Sequence, residues 1–227
     1  MEKLDDFDYY PLLKHQLFIN IVSFGILQYG RREMLSNLEL TNKKILDLMC
    51  GNQQLLSLMK IKESCGFEYL GIDLISCNYF YSSKNCKNSV RFIRHNLKLP
   101  FLHNPKSDII TCSYGLKIAI HSFEKNFLQT IINQANQNCT ISFVEFCLPE
   151  NRMLKSLLKV YLELLIFVCS LLQSNIKPSI KKLKSILVDK SKFDKIIKQL
   201  ELAGFECTVQ EKVFGLLCLI RCERKEN

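Results

Sequence analysis

Several of the signatures that announce a function most directly are missing from this 227-residue sequence. Its 11 cysteines include no Cys-x-x-Cys pair, and no cysteine–histidine set has zinc-ligand spacing, which excludes the common zinc modules. No Gly-x-Gly-x-x-Gly occurs, and no Gly-Lys-Ser/Thr closes a phosphate loop, so dinucleotide and P-loop nucleotide sites are set aside. The most apolar stretch, Leu164 to Leu172, is nine residues long, too short to span a bilayer. The opening Met1-Glu2-Lys3-Leu4-Asp5-Asp6 is acidic, unlike a secretory signal or a mitochondrial presequence. No internal repeat or low-complexity tract is present. The expectation is a cytoplasmic protein, with sideways contact to a membrane left open.

What is present is the material of one globular core. The hydrophobic fraction is 48%, and the length suits one domain better than two. Net charge is +9 without any long basic run. Such a balance serves a solvated shell, an anionic membrane surface or nucleic acid. The fourth strand below is not followed by an Asn/Asp-Pro-Pro-Tyr type motif, which makes nucleic acid the less expected partner. The cysteines read as small buried apolar residues of a reducing compartment, with no metal.

Short apolar runs alternate with helical patterns along the chain. Leu12, Leu13, Leu17 and Ile21 share one helical stripe that Gly25 breaks, and a second helix spans about Tyr29 to Leu38. Strands are expected at Lys44–Leu48, Tyr69–Asp73, Val90–Ile93, Ile109–Ser113 and Thr140–Phe146. Helices are expected around Leu55–Met59 and at Glu124–Ala135. A long apolar helix at about Arg152–Leu172 precedes a helix at Lys192–Ala203, which Gly204 ends in a left-handed conformation. Phe214–Ile220 forms a closing strand, expected as an antiparallel edge. This alternation predicts an α/β fold: a doubly wound, mostly parallel sheet with an antiparallel C-terminal strand, plus N-terminal helices. Residues 1–40 read as a helical lid, and 41–227 as the main domain with a helical insertion at about 150–190.

In such sheets ligands sit beyond the carboxyl ends of the strands, where strand order reverses. The first strand ends in Asp47-Leu48-Met49-Cys50-Gly51, and the glycine lets backbone approach a ligand. The second ends in Asp73-Leu74, where a carboxylate can accept hydrogen bonds from ribose hydroxyls. The third is followed by Asn96-Leu97, whose amide can meet an adenine edge, and the fourth ends at Ser113. A nucleoside without phosphates, such as S-adenosylmethionine (SAM), asks less of the loop than a dinucleotide does.

On these residues the chain resembles the class I SAM-dependent methyltransferases, and within them the ubiquinone/menaquinone-biosynthesis C-methyltransferase family. Ile45-Leu46-Asp47-Leu48-Met49-Cys50-Gly51 is similar to that family's V-L-D-L-A-C-G, and Leu99-Pro100-Phe101 to its L-P-F. Ser107 to Lys117 is similar to F-D-x-I-T-x-S-F-G-L-R, and Phe143 to Pro149 to L-x-L-E-F-S-K-P. Ser23-Phe24-Gly25 with Arg31-Arg32 is similar to S-F-G-x-x-x-x-W-R-R, and Ala203 to Glu206 to A-G-F-E. The matches run in order through nearly the whole chain. Asn52-Gln53-Gln54 stands where the family has Thr-Gly-Asp, and Lys117-Ile118 where it has Arg-Asn.

The resemblance implies SAM as cofactor, held by Asp47, Met49, Cys50, Gly51, Asp73, Leu74, Asn96, Leu97 and Ser113. It implies methylation of a ring carbon on a lipophilic, polyprenylated quinol precursor. That chemistry needs a cation or base beside the phenol, and Lys117, His121 and His15 are the candidates. Glu145 is either near the substrate or a structural carboxylate. The long helix suits a lipid tail, a membrane face, core packing or a homodimer seam, and Lys177 to Lys198 supplies positive charge for anionic headgroups. A complex of quinone biosynthesis is a further possible partner. The alternative readings are a relative that keeps the fold without catalysis, motivated by Asn52-Gln53-Gln54, and a methyltransferase for another small-molecule, protein or nucleic-acid substrate.

Overall fold

Seven strands form one sheet in the order β3-β2-β1-β4-β5-β7-β6. The structure is a computed structural model and describes residues 20, 23–62, 66–74, 89–171 and 190–224. The elements are α1 (Ile26–Ser36), β1 (Lys44–Leu48), α2 (Gln54–Lys62), β2 (Glu68–Asp73), β3 (Ser89–Arg94), β4 (Ser107–Ser113), α3 (Leu116–Ser122), α4 (Glu124–Gln134), β5 (Ala135–Phe146), α5 (Arg152–Leu171), α6 (Asp194–Leu202), β6 (Phe205–Lys212) and β7 (Leu217–Arg224). A short 3-10 turn, Lys190–Lys192, precedes α6. The expected stripe from Leu12 to Ile21 lies outside the described residues, as does most of the basic segment from Lys177.

Strands β1 to β5 run parallel, and β7 runs antiparallel to both β5 and β6. The C-terminal strand is therefore antiparallel, as its sequence suggested, but it is not the edge. β6 takes the edge, and β7 fills the space between β5 and β6. β6 (Phe-Glu-Cys-Thr-Val-Gln-Glu-Lys) carries mostly exposed side chains, the polar dress that keeps an edge strand from pairing with another chain. That polarity hides it from a search for apolar runs. The closing strand also starts three residues later than expected, because Val213, Phe214 and Gly215 have positive φ and turn the hairpin.

Central strands are near-continuous apolar runs because both faces of the sheet are covered. On one face Ile45, Tyr69, Ile109 and Val144 pack with Met34, Leu35, Leu55, Leu56 and Met59 of α1 and α2. On the other, Leu46, Leu48, Ile110, Cys112 and Phe143 pack with Leu116, Phe127, Ile131, Ile196 and Leu200 of α3, α4 and α6. Gly204 has φ 89° and ends the last helix as expected.

Helix α1 sits unusually close to the sheet. A Cβ at Gly30 would overlap the Tyr114 hydroxyl and stand 3.0 Å from Val144 Cγ2. The missing side chain thus lets α1 rest directly on the carboxyl ends of β4 and β5.

One expectation about the cysteines is overturned. Cys207 and Cys222 form a disulfide between β6 and β7. They lie directly opposite in the strand register, so the pairing follows from the hairpin rather than from any spacing visible in the sequence. Cys50, Cys112, Cys139, Cys147 and Cys218 are buried thiols outside any disulfide. Among the described residues no group of three metal-ligating side chains occurs, and no helix is long and apolar enough to cross a membrane.

Candidate cofactor site at the strand switch

Strand order reverses between β1 and β4, and the chemistry-bearing residues gather at the carboxyl ends of those two strands. Met49, Gly51 and Gln53 alternate in left-handed conformations, with φ of 58°, 50° and 60°. This alternation turns the chain sharply from β1 into α2. Gly51 takes the conformation freely, whereas Met49 and Gln53 each bear a cost on the order of 1 kcal/mol. Gln53 stands where the related motif has its second glycine, so the loop keeps a glycine-like backbone without the glycine.

Neighbouring strands hold this loop in place. The Cys50 N–H donates to Ile72 O (3.1 Å), and the Gln53 N–H to Cys50 O (3.0 Å). The Gly51 N–H donates to the Asp73 carboxylate (Oδ2, 2.8 Å). Asp73, at the end of β2, thus joins Gly51 across the 22 residues that separate them. Leu74 follows, and its carbonyl accepts from Arg94 Nε (2.9 Å).

Beneath the loop lies a buried polar cluster. Asp47 is wholly inaccessible and accepts hydrogen bonds from the Tyr69 hydroxyl (2.6 Å) and the Thr111 hydroxyl (2.9 Å). Burial outweighs both bonds and the nearby Arg31 charge, raising its carboxyl to about 6. Arg31 reaches in from α1, with its guanidinium 5.0 Å from the centre of the Tyr114 ring. Its Nε and Nη1 are buried and find no hydrogen-bond partner. Burial lowers its pKa, yet a guanidinium stays charged. The Tyr114 hydroxyl donates to Leu27 O (2.9 Å), which ties α1 to the end of β4.

The loops after β1 and β4 also touch each other. A Cβ at Gly115 would stand 2.7 Å from Met49 Sδ. Ser113, half-buried, ends β4 beside this contact.

The remaining sequence candidates separate. The Asn96 side-chain oxygen accepts the Lys98 N–H (3.0 Å), a local turn beyond β3. Leu97 is buried in the core cluster with Phe101. His121 is exposed on α3, and His15 lies outside the described residues. Lys117 is buried, and its ammonium lies 2.6 Å from Glu145 Oε1. Glu145 also accepts the Lys117 N–H (3.2 Å) and the Phe146 N–H (2.9 Å). Of the two readings open for Glu145, the geometry is that of a carboxylate paired inside the fold. A cavity of about 430 Å³ lined by Leu102, His103, Lys106 and Gln134 lies elsewhere, at the amino ends of β4 and β5.

Sequence reasoning did not single out Arg31 or Tyr114 as site residues. The available signal was the doublet Arg31-Arg32 on the helix that also carries the buried Gly30, Met34 and Leu35, since an arginine drawn toward a core needs a partner.

The architecture is that of the class I SAM-dependent methyltransferases, a Rossmann-like sheet with one reversed strand. It resembles the plantazolicin methyltransferase BpumL solved in complex with a triazolic desmethylPZN analog and SAH (13% identity, 99% of each chain covered, TM-score 0.60). It also resembles a TehB-like SAM-dependent methyltransferase from Corynebacterium glutamicum (14% identity, 95% of this chain and 98% of that one, TM-score 0.57). A third likeness is to a SAM-dependent methyltransferase from Aquifex aeolicus (14% identity, 85% and 88% covered, TM-score 0.54). At these identities the likeness is one of fold. No family model matches the chain, and no curated protein matches it by sequence.

Proposed function

We propose that this chain binds SAM in the crevice between the carboxyl ends of β1 and β4 and transfers its methyl group to a lipophilic quinol-type acceptor. The observation that carries the cofactor reading is Arg31, a half-buried cation at the strand switch with two buried, unmatched donors. A ligand carboxylate satisfies such donors, and SAM carries one on its methionyl end. Asp73, already joined to the Gly51 N–H, stands where a carboxylate receives ribose hydroxyls in sheets of this kind. Asp47 adds negative charge below a site that would hold a cationic ligand.

When bound, SAM supplies an activated methyl group. The chain must then position the acceptor carbon and help its phenol lose a proton. Lys117 is held by Glu145, so in this reading the role of taking that proton falls to the exposed His121. The quinol acceptor rests on the Ser113-Tyr114-Gly115-Leu116-Lys117 and Glu145-Phe146-Cys147-Leu148-Pro149 segments, which carry the family resemblance.

Calorimetry with SAM and SAH tests the cofactor. Saturable binding that weakens in Arg31→Met and Asp73→Ala supports it. No heat at millimolar ligand overturns it. Complementation of a host deficient in quinone methylation, with quinones profiled by mass, tests the acceptor. A profile holding only the demethyl quinone rejects the quinol reading.

A second reading has its own observation. Gln53 places a buried side chain where a glycine would leave the loop open. A relative that keeps the fold without methyl transfer would show SAM binding without turnover, or neither.

A further inference from the structure

Helix α5 is apolar on two faces, and among the described residues only one of them is covered. Leu162 is buried toward the body of the protein. On the outer side Met153, Leu157, Val160, Leu164 and Phe167 form a stripe, each between 53% (Leu157) and 71% (Met153) exposed. Their spacing is 4-3-4-3, the repeat of a coiled-coil seam, and it extends about 21 Å along the helix. Phe24, itself 78% exposed, lies with its ring centre 5.8 Å from Tyr161 and joins the stripe to the start of α1. A helix apolar on two faces needs cover on both.

We propose that this stripe is the seam of a homodimer in which α5 packs antiparallel against α5 of a second copy. Three observations select that occupant. The stripe is near-symmetric about Val160: a two-fold axis there sets Met153 against Phe167 of the second copy and brings Leu157 within one residue of Leu164. The exposed side chains with Phe24 offer apolar area on the order of 600–700 Å², near the roughly 800 Å² per partner of a stable interface. The polar row beside the stripe, Arg152, Ser156, Lys159 and Glu163, is basic at its start and acidic at its end. Antiparallel pairing brings each Glu163 toward the basic half of the other row, whereas parallel pairing sets like charges together.

The seam does not depend on what the strand switch binds. It does border that site, since α5 begins six residues after β5 ends and Phe24 adjoins α1, which carries Arg31.

Sedimentation of the full chain is the test. The expected result is a species of twice the chain mass at about 10 µM, a range typical of specific interfaces. Leu157→Glu with Leu164→Glu should raise the dissociation constant at least a hundredfold with the far-ultraviolet spectrum unchanged. Val160→Cys should cross-link two copies under mild oxidation, in excess of the wild-type chain, which covers the case in which the charged variant misfolds. A monomer at about 100 µM, a dimer that survives the double substitution, or absence of the Val160→Cys cross-link each overturns the proposal. A monomer that co-sediments with vesicles of phosphatidylcholine and phosphatidylserine assigns the stripe to a membrane instead.

Discussion

Two positive charges reach below the surface near the carboxyl edge of the sheet, and they are treated in opposite ways. Lys117 is closed: its ammonium meets Glu145 at 2.6 Å, and the same carboxylate collects two backbone N–H groups. Arg31 is open: two of its buried donors have no partner, and Asp47 nearby spends its oxygens on Tyr69 and Thr111. A buried charge whose bonds are complete maintains a structure. One whose bonds are incomplete, in a crevice where ligands bind on this fold, marks a place for something to arrive. The sequence named Lys117, with His121 and His15, for the catalytic step and passed over Arg31, whose two open donors only the geometry brings out.

The contrast is open to breaking. Lys117→Met should cost the most, about 3–5 kcal/mol in urea unfolding, because it strands a buried carboxylate. Lys117→Met with Glu145→Met should recover most of that loss. A single-variant cost below 1 kcal/mol would mean that the pair is not closed in solution.

The next effect is a pH dependence. Asp47 titrates near 6 in the folded chain, against about 3.9 when unfolded, so the folded state holds the proton to higher pH. Stability therefore falls as pH rises from about 4 to about 6, by up to roughly 3 kcal/mol, and the loss is complete above that window. Asp47→Asn should flatten this part of the pH–stability curve. An unchanged curve would assign the dependence elsewhere.

A smaller loss is expected at the seat of α1. Gly30→Val forces the helix away from Tyr114 and Val144 and should cost about 1–3 kcal/mol, read as a fall in Tm. It should weaken SAM binding as well, since Arg31 follows in the same helix. The smallest stability change belongs to Arg31→Met, within about 1 kcal/mol of the parent or slightly stabilising, because it removes a charge whose bonds are unmade. If that variant behaves like Lys117→Met, the two charges are alike and the contrast fails.

Much of the fold was legible because apolar runs mark buried strands. β1 has the predicted bounds, and β2 to β4 differ from prediction by one or two residues at their ends. β6 was not, because an edge strand is written in polar residues. Helix α3, a single seven-residue element opening at Gly115 without a side-chain cap, offered no period long enough to read. At the site, Asp47, Gly51 and Asp73 were readable from their places at strand ends. Their mutual contacts were not, since Tyr69, Thr111 and Arg31 reach Asp47 through sheet register and helix docking. Neither leaves a mark on local spacing. The Lys117–Glu145 pair was hidden for the same reason.

The placement of β7 sets an order of assembly. Strand β6 is made before β7, yet β7 occupies the position beside β5. For as long as β7 is missing, β6 has no neighbour in the sheet, and its final place lies about 10 Å from β5, two strand spacings away. The parallel half can zip together from its own crossover units, whereas β6 joins the sheet only through β7. Cys207 and Cys222 face each other within that two-strand unit, so their bond ties β6 to β7 whether or not β7 has reached β5. An edge strand stapled in this way can leave the sheet only together with its neighbour.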